Sequence, residues 1–172
     1  MLLPHLQGLV PFGTVVNKTP LSAKHAMTKF GFAGATTDST DLFRTSAPRS
    51  GNVPAAVLIA TRHDMHAPLV LEALAENRHV FVEKPLCLTR EELGAIEAAG
   101  AMSTGSVQVG FNRRFAGASR ELKRLLQSIP GPKVANYQVV PGRLDPESWY
   151  ANYAESGGRV LGEACHFLAA GL

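Results

Sequence analysis

The sequence is poor in cysteine, in long apolar runs and in blocks of charge of one sign. Only Cys87 and Cys165 occur among 172 residues, far apart and without a Cys-x-x-Cys pair. Their scarcity argues against a disulfide framework or a thiolate zinc site and favours a reducing compartment, so we expect a cytoplasmic protein without a metal site. No apolar run is long enough to predict a membrane span. The net charge is +3 with scattered basic residues, which does not indicate a nucleic-acid surface.

What the chain does contain is the composition of a globular protein, with 45% hydrophobic and 18% charged residues. That is enough apolar material to bury a core. The first residues, MLLPHLQGLVPFG, fit a signal peptide poorly because no basic segment precedes them, and they look like the interior of a helix. The last residues, GEACHFLAAGL, stop inside an apolar helical pattern. The two ends together predict that this sequence is a piece of a larger parent chain. We also expect the protein to form a homo-oligomer.

Short apolar runs alternate with helical patterns along most of the chain. Four apolar runs predict strands: residues 12–17, 55–60, 79–82 and 106–110. Helical periodicity predicts helices over residues 22–30, 66–76, 89–99 and 116–128. A further short helix is predicted to end at Phe43, with Asp38 or Ser39 as its cap. Proline, glycine and serine predict a loop over residues 44–54. This alternation is typical of βαβ units, so the predicted fold is α/β with a doubly wound parallel sheet.

Several predicted boundaries depend on particular residues. Ser22 is predicted to cap the helix that ends before Gly31. Thr89 followed by Glu92 predicts a capping box at the start of a later helix. The run AAVLIA at 55–60 is continuously apolar, which is typical of a strand covered on both faces.

The pattern changes after Gly131. Residues 133–142, KVANYQVVPG, alternate in the manner of a longer strand, and an irregular stretch with several aromatic residues follows. We therefore expect two domains, the first over residues 1–115 and the start of a second, α+β domain over residues 116–172.

Polar residues follow three of the predicted strands at the point where each strand ends. They are TRHDMH at 61–66, EKP at 83–85 and FNRR at 111–114. Because ligands of open α/β sheets bind outside the carboxyl ends of the strands, these residues predict one shared ligand site.

The segments around these strand ends resemble the Gfo/Idh/MocA family, the relatives of glucose–fructose oxidoreductase and inositol dehydrogenase. The matching segments are VLIATRHDMHAPLVLEALAENRHVFVEKPLCLT, VQVGFNRRF and GGRVLGEACHF, in the family's order and spacing. The likeness is greatest to the branch that forms a domain of larger two-domain oxidoreductases. It implies an incomplete Rossmann-like NAD(P)-binding domain, the start of the family's C-terminal α/β domain, and hydride transfer between NAD or NADP and a sugar, cyclitol or related small molecule.

The resemblance implies that Lys84 and His166 are the catalytic residues. Lys84 would reach the nicotinamide ribose and the substrate hydroxyl, where an ammonium group steadies a developing alkoxide or relays its proton. His166 would act as acid or base, because imidazole titrates near neutral pH. Pro85 would fix the chain direction, with a cis Lys-Pro bond as one way to do so. The implied cofactor contacts come from the strand ends: Ala60, Thr61, His66, Glu83, Lys84, Asn112 and Arg113.

Two features depart from the family pattern. The family's first strand and its glycine-rich phosphate-binding turn would lie before MLLPHL, and the chain contains neither. Many relatives carry an aspartate four residues before the histidine, where this chain has Gly162. Glu163, three residues before His166, replaces that aspartate only if the helix geometry allows.

Other interpretations stay open at this point. His63 and His66 are spaced as a zinc pair, but no further ligands complete the set, and a polar pair at a helix start is simpler. His166, on an apolar helix, also fits a core position. Trp149 and Tyr153 either stack on a sugar or belong to the core. The alternative function is a non-catalytic Rossmann-like domain that serves as a binding or assembly module, because a missing central strand leaves sheet edges that invite a partner.

Overall fold

The computed structural model describes residues 2–44, 56–134, 136 and 138–170. The chain divides into two compact units, residues 1–53 and 54–172, and each is described by itself. The predicted loop at 44–54 lies outside the described residues except for Arg44, which ends a helix. No helix among the described residues combines the length and the apolar character needed to cross a membrane.

The described residues of the first unit form two short parallel strands and three helices. Its elements are α1 (Leu3–Leu6), β1 (Thr14–Val16), α2 (Pro20–Phe30), β2 (Gly34–Thr36) and α3 (Thr40–Arg44). Thr14 pairs with Gly34 and Val16 with Thr36. The sequence predicted β1, α2 and α3 but not β2, because Gly-Ala-Thr carries no apolar run.

The start of α2 differs from its prediction. Thr19 is the N-cap, and its side chain accepts a hydrogen bond of 3.3 Å from the backbone N–H of Ser22. Pro20 takes the first helical position, where its missing N–H costs nothing. The predicted cap at Ser22 was therefore wrong by three residues. The predicted end was right, since Gly31 adopts the left-handed conformation with φ of 77°.

The second unit is built on three parallel strands with β4 in the middle. The strands are β3 (Ala56–Ile59), β4 (His79–Glu83) and β5 (Val107–Gly110). The helices are α4 (His66–Ala75), α5 (Arg90–Met102), α6 (Gly117–Ser128), α7 (Tyr153–Ser156) and α8 (Cys165–Ala170). Helix α5 begins with the predicted capping box, in which Thr89 and Glu92 each bond the other's backbone N–H. Val82 of β4 and Val70 and Leu74 of α4 are buried and form the centre of the core.

Two expectations about strands are corrected. Strand β3 is not covered on both faces, because Leu58 is 39% exposed while its neighbour Ile59 is buried. Among the described residues of 133–142 the structure contains no strand. A strand is stable only when its backbone groups pair with a neighbouring strand, and the apolar side chains of Val134 and Val140 face solvent here.

Candidate active site

The carboxyl ends of the three strands lie at one edge of the sheet. Ile59 is level with Val82, and Glu83 is level with Gly110. The polar segments that follow these strands therefore start from the same rim, as the sequence predicted. Lys84 follows β4 directly, and the Lys84–Pro85 peptide bond is cis, as the sequence allowed.

An open cavity of about 450 Å³ lies beside this rim in the second unit. Its lining joins the end of β4, the turn after β5 and the segment leading into α8. The lining residues are Lys84, Arg113, Val139, Pro141, Tyr150, Gly162, Glu163, His166 and Phe167. Both predicted catalytic residues and Arg113 are thus brought together. Ala60, Thr61, His66, Glu83 and Asn112 do not line this cavity, and their cofactor contacts stay predictions.

Lys84 is oriented by the backbone of the opposite segment. Its Nζ donates a hydrogen bond to the carbonyl oxygen of Gly162, and its side chain is half-buried. Gly162 lies in a π-helical turn, Val160–Ala164, that leads directly into α8. A wider π turn is frequent at functional sites because it re-aims backbone carbonyls. Here it turns one carbonyl toward the lysine.

His166 lines the same cavity. Its Nδ1 is buried and has no hydrogen-bond partner among the described residues. The pKa of His166 is lowered to about 4, mainly by burial and in smaller part by the positive charges of Lys84 and Arg113. The imidazole is therefore neutral near pH 7, so that it can accept a proton.

The lowered pKa of His166 predicts a loss of stability in mild acid. The unfolded chain takes up this proton below the ordinary pKa of 6.5, whereas the folded chain does so only near 4. The free energy of unfolding should therefore fall as the pH falls through that window. We expect His166 to account for about 1–2 kcal/mol of this loss after allowing for solvent screening.

Urea unfolding at neutral pH and at about pH 4.5 measures that loss. His166→Gln should flatten the pH dependence, while the exposed His25→Gln in α2 should leave it unchanged. Equal slopes for the parent protein and for His166→Gln would show that His166 is not the group responsible. His63, whose pKa is also lowered by burial, accounts for part of the slope that remains.

Glu163 does not take the place of an aspartate beside His166. Its carboxylate accepts hydrogen bonds from Nε and Nη2 of Arg159, at 3.0 and 3.3 Å. This two-point ion pair engages both carboxylate oxygens, and Nδ1 of His166 stays without a partner. Glu163 therefore does not partner His166, because its carboxylate is held by Arg159, one helical turn earlier.

Tyr150 is a site residue that the sequence analysis missed. Its ring lies against the α-carbon of Gly162, so close that a Cβ there would overlap the phenol oxygen and lie 2.7 Å from Cζ. Burial, with a smaller contribution from Glu163, raises the pKa of Tyr150, which keeps the hydroxyl protonated. The signal for it was the glycine at position 162, since an omitted side chain marks the close approach of another group.

The two histidines of the His-x-x-His pair are held by backbone carbonyls. Nδ1 of His63 lies 2.8 Å from the carbonyl oxygen of Ser156, and Nδ1 of His66 lies 2.6 Å from that of Pro85. Nε2 of His66 is also 3.2 Å from the carbonyl oxygen of Thr61. His66 therefore ties the end of β3 to the turn after β4. No group of three His, Cys, Asp or Glu side chains suited to a metal ion occurs in the part of the chain that the structure describes.

A parallel sheet flanked by helices, with a cavity at the carboxyl ends of its strands, has the layout of a Rossmann-like domain. Residues 11–111 match the family described as "Oxidoreductase family, NAD-binding Rossmann fold", the GFO_IDH_MocA family. Because the match covers more than half of the chain, the protein belongs to this family. The predicted membership and fold class are confirmed, and the description of the family as NAD-binding agrees with the predicted cofactor, NAD or NADP.

Inositol dehydrogenases are among the similar proteins. The chain is 40% identical over 74 residues to inositol 2-dehydrogenase of Burkholderia multivorans, covering 42% of this chain and 22% of that enzyme. It is 34% identical over 111 residues to inositol 2-dehydrogenase of Burkholderia cenocepacia, covering 63% of this chain and 31% of that enzyme. The chain thus spans less than a third of the length of these relatives.

The fold also matches solved structures over nearly its whole length. The WlbA dehydrogenase of Thermus thermophilus, in complex with NAD and UDP-GlcNAcA, superposes with a TM-score of 0.79 at 21% identity. The superposition covers 98% of this chain and 56% of that one. This likeness is one of fold.

Proposed function

We propose that the protein transfers a hydride between NAD(H) and the CH–OH or C=O group of a sugar, cyclitol or related small molecule. The observation that carries the proposal is the placement of Lys84 and His166 in one cavity at the carboxyl rim of a parallel sheet. Lys84 is held there by the carbonyl of Gly162, and His166 lines the same cavity, where its Nδ1 has no hydrogen-bond partner among the described residues.

The donor set of the cavity fits the nicotinamide and substrate end of the cofactor site. A half-buried lysine and an orphaned ring nitrogen suit a ligand with several hydroxyl groups, such as a ribose or a polyol. The chain contains no Gly-x-Gly pair, so its own sequence supplies no glycine-rich turn for the pyrophosphate. We propose that Ala60, Thr61, His66, Glu83 and Asn112 shape the cofactor side of the rim.

The residues in the cavity divide the proton chemistry between them. NAD, when bound, supplies the hydride acceptor for an alcohol, and NADH supplies the hydride donor for a carbonyl. The neutral imidazole of His166 takes the hydroxyl proton in oxidation and returns it in reduction. The charged end of Lys84 lies at the oxygen, where it steadies the negative charge that develops as the proton leaves. The hydrogen bond to Gly162 holds Lys84 in place, so little reorganisation is needed.

The domain assignment is also part of this proposal. Residues 1–115 would form the nucleotide-binding part, and residues 116–172 would begin a substrate-binding part that supplies His166. The cavity residues are drawn from both sides of this boundary, with Lys84 and Arg113 before it and His166 and Phe167 after it.

The test is the appearance of NADH absorbance when the protein is mixed with NAD and a panel of polyols, cyclitols and sugar acids. The 172-residue chain is assayed beside the same chain extended upstream by a strand and a Gly-x-Gly-x-x-Gly turn. We expect NADH to form with at least one substrate, fastest in the extended protein. If neither protein forms NADH or binds it, the proposal fails. A stable, monodisperse oligomer without NAD affinity would instead favour the assembly module.

A further inference from the structure

The charges around the cavity are unbalanced. Lys84 and Arg113 both line it, and neither is paired with a carboxylate in the described parts of the chain. Glu163 is the one acidic residue among the described residues that line the cavity. Its negative charge is already neutralised by Arg159, which donates two hydrogen bonds to it. The cavity therefore carries an excess of positive charge. The lowered pKa of His166, to which both cations contribute, reports the same imbalance.

Arg113 is arranged to bind an anion. Its guanidinium lies 4.5 Å from the ring centroid of Phe167, the residue next to His166. Contact of a guanidinium with an aromatic ring leaves the N–H groups at its edge free, and these form the planar fork that matches a carboxylate. The side chain is exposed, so that a ligand in the cavity can reach it.

We propose that the substrate carries a carboxylate, which Arg113 binds while Lys84 and His166 act on a hydroxyl of the same molecule. This inference rests on the proposed function, and it narrows the substrate class to sugar acids such as uronates and aldonates. A forked, charge-assisted pair fixes the orientation of the substrate as well as its affinity. A sugar phosphate offers related anionic chemistry and is separated from a sugar acid by the experiment.

The experiment measures the binding of three sugars to the 172-residue protein by titration calorimetry. They are D-glucuronate, its uncharged methyl ester, and glucose. We expect glucuronate to bind roughly ten- to hundredfold more tightly than the ester, since hydrogen bonds to charged groups are strong. Added salt should weaken the binding of glucuronate alone. A sugar phosphate, measured beside them, is expected to bind more weakly than glucuronate.

Arg113→Gln should lower the affinity for glucuronate to that for the ester and leave the ester unchanged. Arg114→Gln is the matched control, because Arg114 lies 5.8 Å from the ring centroid of Phe115, is also exposed, and does not line the cavity. Equal affinities for glucuronate and ester, or an unchanged preference in Arg113→Gln, overturn the inference. If the sugar phosphate binds more tightly than glucuronate, the proposal that the substrate carries a carboxylate is overturned. NADH formation with neutral polyols alone would refute this inference and leave the proposed function standing.

Discussion

Replacement of Lys84 by methionine is expected to slow hydride transfer by roughly 10²- to 10⁴-fold, the range typical of a lost acid–base or electrostatic group. Methionine keeps most of the length and the apolar stem of lysine but cannot donate to the carbonyl of Gly162 or to a substrate oxygen. The loss should appear in kcat, because the ammonium is needed most when charge develops on the oxygen. Steady-state rates of NADH formation measure it.

Lys133→Met is the matched control for this substitution. Nζ of Lys133 donates to the carbonyl oxygen of Gly131 at 3.1 Å, so it too bonds a glycine carbonyl, but the residue is exposed and does not line the cavity. Its kcat should stay within a factor of about two, because isolated surface changes are nearly neutral. Similar rates for Lys84→Met and the parent protein would remove Lys84 from the chemistry.

Replacement of Gly162 by alanine is expected to destabilise the fold by about 1–3 kcal/mol, the usual cost of overpacking. The new methyl group would overlap the phenol end of Tyr150 and lie 3.2 Å from Cε1 of His63. Tyr150 cannot easily yield, because its ring packs edge-to-face against Trp149 and His63, at 5.3 and 5.5 Å between centroids. Urea unfolding measures the change in stability.

The same substitution at Gly94 should increase the stability of the fold instead of lowering it. Gly94 lies in α5 with open space around its α-carbon, so alanine there should stabilise the helix by about 0.5–1 kcal/mol. In a Tyr150→Ala background, Gly162→Ala should become nearly neutral, because the clashing ring is gone. A cost that persists in that background would locate the strain outside the contact between Gly162 and Tyr150.

The elements that the sequence predicted best are those with strong local signals. Strand β4 has an alternating apolar run, and α5 has a complete capping box at Thr89. The cap of α2 was displaced because Thr19, Pro20 and Ser22 compete within four residues, and a proline at the first position favours Thr19. Strand β2 escaped prediction because its pairing with β1, not its own residues, makes it a strand.

The residues of the site also fall into those that local sequence signals predicted and those that they did not. Lys84 and Arg113 were predictable because each follows a strand whose end is fixed by the parallel register. The π turn at Val160–Ala164 is marked by no local sequence pattern, and Gly162 within it signals a close approach without showing that Tyr150 is the residue that approaches. The pairing of Arg159 with Glu163 is a local contact one helical turn apart, whereas only the packing of distant segments shows that Tyr150 lies over Gly162.

The most direct test of the central claim is energy transfer from Trp149 to NADH. Trp149 is the single tryptophan, its ring packs against those of Tyr150 and His63, and its emission overlaps the absorbance of the dihydronicotinamide. If NADH binds at this rim, excitation of Trp149 should produce saturable NADH emission that excess NAD abolishes. If NADH leaves the fluorescence of Trp149 unchanged in both the 172-residue chain and the chain extended upstream by the glycine-rich turn, up to concentrations that saturate ordinary dehydrogenases, the rim is not a nicotinamide site and the account is wrong.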